Sequence, residues 1–201
     1  MTVIAWDGNT LAADGLMTYG DSIGTTHQPK IFRASDFITP NWDVLGHKVL
    51  AFAITGLIGS EVMLISILNN SLHNETTFPS HMNFTALMVC EDCETWVCQK
   101  QADHNGVTLY RVETETFALG CGADAALGAM IGGRSAIDAV AIAMDVNVYC
   151  GGGIQAWTPT VVGVANGTRL ASDSNELQGA RFVSDPDADM WVMPDDSSEK
   201  K

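Results

Sequence analysis

The chain has 201 residues, 46% hydrophobic and 17% charged. That suits one globular domain burying about 70% of its unfolded surface and excludes a disordered chain. Its 24 Asp plus Glu against 10 Lys plus Arg give a net charge of −14, which argues against nucleic-acid phosphates and anionic membrane surfaces as partners.

Residues 2–6 alternate and are β-rich, Asp7-Gly8-Asn9 is a turn signal, and 10–14 read as the returning strand of a hairpin. With the turn centred on Gly8, residues whose numbers sum to 16 face each other, which sets Thr2 opposite Asp14. Residues 15–29, ending at Pro29, read as an irregular crossing, 30–33 as a short strand and 33–47 as a loop. The apolar run 48–55 fits a buried strand. Gly56-Leu57-Ile58-Gly59 is a turn, followed by a helix to about residue 72, capped by Gly59 or Ser60. Residues 73–84 are a polar loop. Residues 85–90 and 95–100 form one strand pair, and 107–112 and 115–119 another. Helices follow at 123–131 and 135–146, split by Gly132-Gly133. Cys150-Gly151-Gly152-Gly153 is a sharp break before strands at 154–164 and 167–171. Strands and helices come in runs, which predicts an α+β fold with largely antiparallel sheets. A single domain is expected over 1–184, followed by an acidic surface tail over 185–201.

No run reaches the ~18 apolar residues of a membrane helix, and no basic-then-apolar leader opens the sequence. Five cysteines at irregular spacing, Cys90, Cys93, Cys98, Cys121 and Cys150, do not make a disulfide framework, so a reducing, cytoplasmic setting is expected.

The chemistry concentrates at the start. Removal of Met1 would leave Thr2 with both a hydroxyl and a free α-amine, whose ordinary pKa of about 7.7–8.0 lets it take the hydroxyl proton. On its own, Met-Thr is a common beginning. The expected hairpin brings Asp14 beside Thr2, and Lys30 opens the next strand. A lysine there would favour the alkoxide, and Asp14 would hold it charged. From periodicity alone, the better reading of Asp14 and Lys30 is a plain surface ion pair.

The segment Thr2-Val3-Ile4-Ala5, Asp7-Gly8, Ala12-Ala13-Asp14, then Lys30-Ile31-Phe32 resembles the opening of proteasome β-type subunits, above all HslV-type peptidases and their bacterial proteasome-like relatives. The resemblance implies a four-layer αββα sandwich, the N-terminal-nucleophile hydrolase fold, with Thr2 as nucleophile, Lys30 lowering its pKa and Asp14 positioning Lys30. Ala53-Ile54-Thr55-Gly56 resembles the family's Ala-Gly turn, which implies that the Gly56 N–H stabilises the oxyanion. Leu119-Gly120-Cys121-Gly122 resembles its Gly-Ser-Gly, with Cys121 in place of Ser. Asn147-x-x-Cys150-Gly151-Gly152 stands where many members carry Asp-x-x-Ser-Gly-Gly, which assists the amine. The first hairpin is about four residues shorter than is usual in the family. Specificity residues are implied around Gly24, Thr26 and Leu57.

Two functions compete. One is a threonine-type peptidase acting on peptides or unfolded proteins inside a homo-oligomeric ring, fed by an unfoldase ATPase. The other is an inactive assembly protein, a ring or shell component, placed in the virion if phage-encoded. No cofactor is expected. Cys90-x-x-Cys93-x4-Cys98, with His81 or His104, could suggest zinc, but four ligands in paired knuckles are lacking, and alternate positions on a hairpin suit buried thiols.

Overall fold

The computed structural model describes residues 2–159 except Asp21, Thr39, Asp92 and Cys93. The expected strand at 167–171, the end of the one at 154–164, the domain limit at 184 and the acidic tail lie outside the described residues.

The chain opens with strands β1 (Val3–Trp6) and β2 (Leu11–Asp14). Asp7 shapes the turn between them. Its Oδ1 accepts the N–H groups of Asn9 at 3.0 Å and Thr10 at 2.7 Å, the side-chain turn that Asp favours. The loop therefore holds four residues, 7–10, and Ile4 pairs with Ala13 and Trp6 with Leu11. Paired numbers sum to 17, not the expected 16. A one-residue shift changes the face of every side chain. Continuing the register sets Asp14 across from Val3 rather than Thr2.

The crossing at 15–29 is more ordered than expected, containing a small hairpin of β3 (Met17–Tyr19) and β4 (Ser22–Thr25). Then come β5 (Ile31–Arg33), a 3-10 turn over Ala34–Asp36, β6 (Asp43–Val44) and β7 (His47–Gly56). Helix α1 (Ser60–Leu68) begins after Gly59, the capping position, in a left-handed conformation. It stops four residues before the expected end, at Asn69-Asn70-Ser71. There follow β8 (Phe84–Cys90), β9 (Thr95–Lys100), β10 (Thr108–Val112), β11 (Phe117–Gly120), α2 (Ala123–Ile131), α3 (Ala136–Val146) and β12 (Ile154–Trp157). β10 and β11 do not pair with each other as expected. β10 pairs with β9, whereas β11 crosses to β1.

The result is one four-stranded sheet in the order β11-β1-β2-β12 and one larger sheet in the order β10-β9-β8-β7-β5, with β6 on β7. Their strand pairings are antiparallel, so the α+β expectation holds. Alternation along the strands sorts the core into three clusters. Val3, Ala5 and Ala12 pack with Ala126, Ala139, Val140 and Ala143 of α2 and α3. Ile4, Trp6, Leu11 and Ala13 pack with Ala53, Leu87, Val89 and Val97 of the larger sheet. Phe52, Met88 and Cys98, on that sheet's other face, pack with Leu64 and Leu68 of α1.

The first cluster is built from small side chains, and Gly122 marks its tightest point. A methyl group there would stand 2.8 Å from both Val3 Cβ and Cys150 Sγ. Asp7 joins the layers from the other end. Its Oδ2 accepts the Ala136 N–H at 2.8 Å, at the positive start of α3. Ser135 caps the same helix by accepting from the Asp138 N–H. Gly122→Ala is expected to cost about 1–3 kcal/mol through overpacking, read from the urea midpoint of unfolding.

Candidate active site

Thr2 precedes β1, Asp14 ends β2, Lys30 enters β5 and Gly56 ends β7. The two sheets bring these ends together. Gln155 of β12 fixes the approach of Lys30, since its Oε1 accepts the backbone N–H groups of Lys30 at 2.9 Å and Ile31 at 3.3 Å. Its Nε2 donates to Gln28 O at 2.6 Å. The backbone of residues 28–31 is thereby tied to the four-stranded sheet.

Lys30 Nζ donates to Asp14 Oδ1 at 2.6 Å and to Leu16 O at 2.8 Å. Asp14 has no solvent exposure, and Lys30 has 5%. The expectation of a surface ion pair is therefore wrong: the pair is buried. Two backbone donors complete it, with Val3 N–H reaching Asp14 Oδ1 and Gly151 N–H reaching Oδ2, each at 3.0 Å. Such charge-assisted bonds offset the desolvation that burial imposes. Burial pulls Lys30 below the ordinary lysine value of 10.5, against the hydrogen bond and charge of Asp14.

A second group surrounds the Thr2 backbone nitrogen. Thr2 N–H donates to Cys121 Sγ at 3.3 Å, and Cys121 Sγ lies 3.3 Å from Thr2 O and 3.5 Å from Cys150 Sγ. Asn147 closes the end of α3 onto this turn: its Nδ2 donates to Cys121 O at 2.6 Å, and its Oδ1 accepts Tyr149 N–H at 2.9 Å. Burial, reinforced by the neighbouring Cys121, pushes Cys150 up to about 12, so it is a thiol at neutral pH. Gly120 can be nothing else, because its φ is +90° and a side chain there would run into the Thr2 carbonyl.

Thr2, Lys30 and Gly56 line one cleft of about 70 Å³, together with Leu16, Leu57 and Glu61. Gly56 has φ +125°, and a side chain there would collide with Asn83 and Phe84. Of the specificity positions the resemblance implied, Leu57 lines this cleft. Thr26 instead accepts Gly153 N–H through its carbonyl, and Gly24 packs under the Met17 side chain.

Thr2, Asp14, Lys30, Gly56, Cys121, Asn147 and Cys150 thus form one connected neighbourhood. The sequence did not point to Leu16 O, Gly151 N–H, Gln155 or Glu61. Two of these are backbone groups, which leave no mark on side-chain pattern; Gly151 was visible as part of a break and of the Asn147-x-x-Cys150-Gly151-Gly152 segment, with no role for its N–H. Away from the site, Cys90 and Cys98 are core residues of β8 and β9, and burial pushes Cys98 up to about 12. Cys93 lies outside the described residues, and His81 and His104 are exposed. None of the helices among the described residues is long and apolar enough to cross a membrane.

Neither a family model nor a curated protein sequence matches this chain. Solved structures do, and they define a proteasome-like fold. Thiobacillus denitrificans BPH, a bacterial proteasome-like protein, in complex with epoxomicin is 18% identical, covering 81% of this chain and 100% of that one with a TM-score of 0.55. T. denitrificans BPH alone is 19% identical, covering 78% of this chain and 96% of that one with a TM-score of 0.51. At such identity the likeness concerns the fold.

The buried pair has a measurable signature. Asp14→Asn and Lys30→Met each strand a buried charge and are expected to cost about 3–5 kcal/mol. The double replacement costs less than their sum, with a coupling of about 1–3 kcal/mol in a urea-unfolding cycle. Because Lys30 has its folded value below 10.5, the unfolded chain binds more protons between the two values. Stability from this group therefore rises with pH through that window, and Lys30→Met abolishes that part of the slope.

Proposed function

We propose that this chain is a threonine-type N-terminal-nucleophile peptidase of the proteasome and HslV kind. The observation that carries the reading is that Thr2 shares a cleft with Lys30 and Gly56 while the buried Asp14 holds Lys30 at 2.6 Å. The three core clusters support a four-layer αββα sandwich, with α2 and α3 outside one sheet and α1 outside the other.

After Met1 is removed, the Thr2 α-amine takes the hydroxyl proton as Oγ1 attacks a peptide carbonyl. Lys30 favours the alkoxide, and Asp14 with Leu16 O keeps its Nζ in place. The Gly56 N–H stabilises the oxyanion. Collapse of the tetrahedral intermediate passes the proton to the departing amine and leaves an ester on Thr2, which water then hydrolyses. The cleft, about 70 Å³, is well under the roughly 300–1,000 Å³ of ordinary ligand pockets. It holds one side chain of a substrate. In a homo-oligomeric ring a neighbouring copy would complete the binding surface for a peptide or unfolded protein; the family resemblance adds an unfoldase ATPase as the feeding partner, in the cytoplasm.

One observation favours a second reading, an inactive ring or shell component, in the virion if phage-encoded. Cys121 Sγ meets the Thr2 nitrogen, with Cys150 Sγ behind it, where the resembling family has hydroxyls, and thiols are weaker partners in a proton network. Asn147 is engaged in closing the turn.

Intact mass of the native protein, with and without a peptide epoxyketone, separates the two. Loss of Met1 and one adduct per chain, absent in Thr2→Ala, is the outcome expected of the peptidase. A retained Met1 with no adduct would leave the fold as it is and make the assembly protein the right reading.

A further inference from the structure

Two sulfur atoms face each other beside the Thr2 nitrogen, and the peptidase reading assigns them no step. Cys121 Sγ and Cys150 Sγ lie 3.5 Å apart. A disulfide bond measures about 2.05 Å, so closing it needs a movement of about 1.5 Å. Both sulfurs stand on turns, and neither belongs to a helix or strand. Cys121 lies between Gly120 and Gly122 ahead of α2; Cys150 precedes three glycines ahead of β12. These glycines leave the backbone freedom to adjust. Gly122 has no side chain to keep the two turns apart, since any Cβ there would press on Cys150 Sγ.

Exposure divides the roles. Cys121 is open to solvent, while Cys150 is buried. We infer that Cys121 and Cys150 are a redox couple that a peroxide converts reversibly into a disulfide. The Cys121 thiol gives up its proton and attacks one oxygen of hydrogen peroxide; an S–O bond forms, the O–O bond breaks, and the departing hydroxide takes up that proton and leaves as water. The Cys150 sulfur then attacks the sulfenic sulfur. The S–S bond forms, the S–O bond breaks, and the Cys150 proton leaves with the hydroxyl as a second water. Two thiols lose two electrons to one peroxide. Cys150 rests as a thiol with its ionisation pushed up by burial, so its proton is lost during the attack rather than before it.

The bond would act on the site through atoms already in contact. Cys121 gives up its S–H, now directed among Thr2 O, Tyr149 O and Cys150 Sγ, and its sulfur is drawn toward Cys150 and away from Thr2 N. The turn carrying Gly151, whose N–H holds Asp14, is clipped to the start of α2. Resting on the peptidase reading, the disulfide slows the nucleophile, so the oxidised chain forms the epoxyketone adduct several-fold more slowly than the reduced one.

The test uses the full native chain, reduced and then treated with hydrogen peroxide. The expected result is a loss of about 2 Da, a cross-linked peptide containing Cys121 and Cys150, and recovery of both thiols with dithiothreitol. In Cys150→Ser, Cys121 should instead stop at the sulfenic acid and be trapped by dimedone. The inference is overturned if Cys121 proceeds to the sulfinic acid with Cys150 still alkylatable, or if the cross-link maps to Cys90 or Cys98. These readouts need no activity. A cross-link without any adduct in either redox state would count against the peptidase alone, and equal adduct rates in both states would overturn the control of the nucleophile.

Discussion

A carboxylate sealed from water dictates much of how this chain is arranged. Asp14 is the one buried carboxylate among the described residues, and an unpaired charge there would be prohibitively costly. Every partner it has comes from a different part of the chain: Lys30 from the entry to β5, Val3 N–H from β1 and Gly151 N–H from the turn after α3. Satisfying one side chain therefore requires the first hairpin, the crossing to the larger sheet and the end of the last helix to be in place together. A buried ion pair of this kind is weak evidence for net stability and better evidence for a unique arrangement. Lys100 makes the contrast. It is equally buried, yet its ammonium is met by Met82 O and Gln101 O, a local solution that ties down one loop end.

The register of the first hairpin follows from the same constraint. With the register summing to 16, Asp14 would share a face with Thr2, Ile4 and Trp6, and the carboxylate would point between the sheets. The observed register turns Asp14 to the side of α3, where Gly151 and Lys30 reach it, and frees Thr2 to face the cleft with Gly56. Asp7 enforces the difference: its two oxygens separately hold the four-residue turn and the start of α3.

This explains what was legible in the sequence and what was not. The order of elements, the buried run that became β7 and both later helices could be read from period, turn residues and spacing; the working pair of Asp14 and Lys30 was implied by the family resemblance, since periodicity alone gave a surface ion pair. The register could not, because Asp-Gly-Asn serves a three-residue or a four-residue loop, and the choice lies in an Asp7 contact 129 residues away. The partners of β10 and β11 were hidden for a similar reason. Adjacent strands usually pair, yet β11 is claimed by β1 through the edge that Val3 to Trp6 leave open. Backbone donors such as Gly151 N–H, and a side chain acting on backbone such as Gln155, carry no periodicity at all.

The cysteines show how far side-chain identity can change while packing is kept. Cys150 packs with Val3 and Ala143 against the bare backbone of Gly122, where a small residue must sit. A thiol fits such a space and tolerates burial better than a hydroxyl, because sulfur is a poor hydrogen-bonding atom and loses less on leaving water. The same property weakens it as a proton relay around the Thr2 nitrogen. Packing and chemistry thus pull apart at this position. The helical layer closes as well with sulfur as with oxygen, whereas the base that the proposed peptidase needs at Thr2 would gain less from it. What sulfur adds is access to oxidation, and closure to a reversible disulfide only where two sulfurs meet, one of them open to solvent. That is the arrangement at the start of α2, in contrast to Cys90 and Cys98, which lie inside the core of the larger sheet.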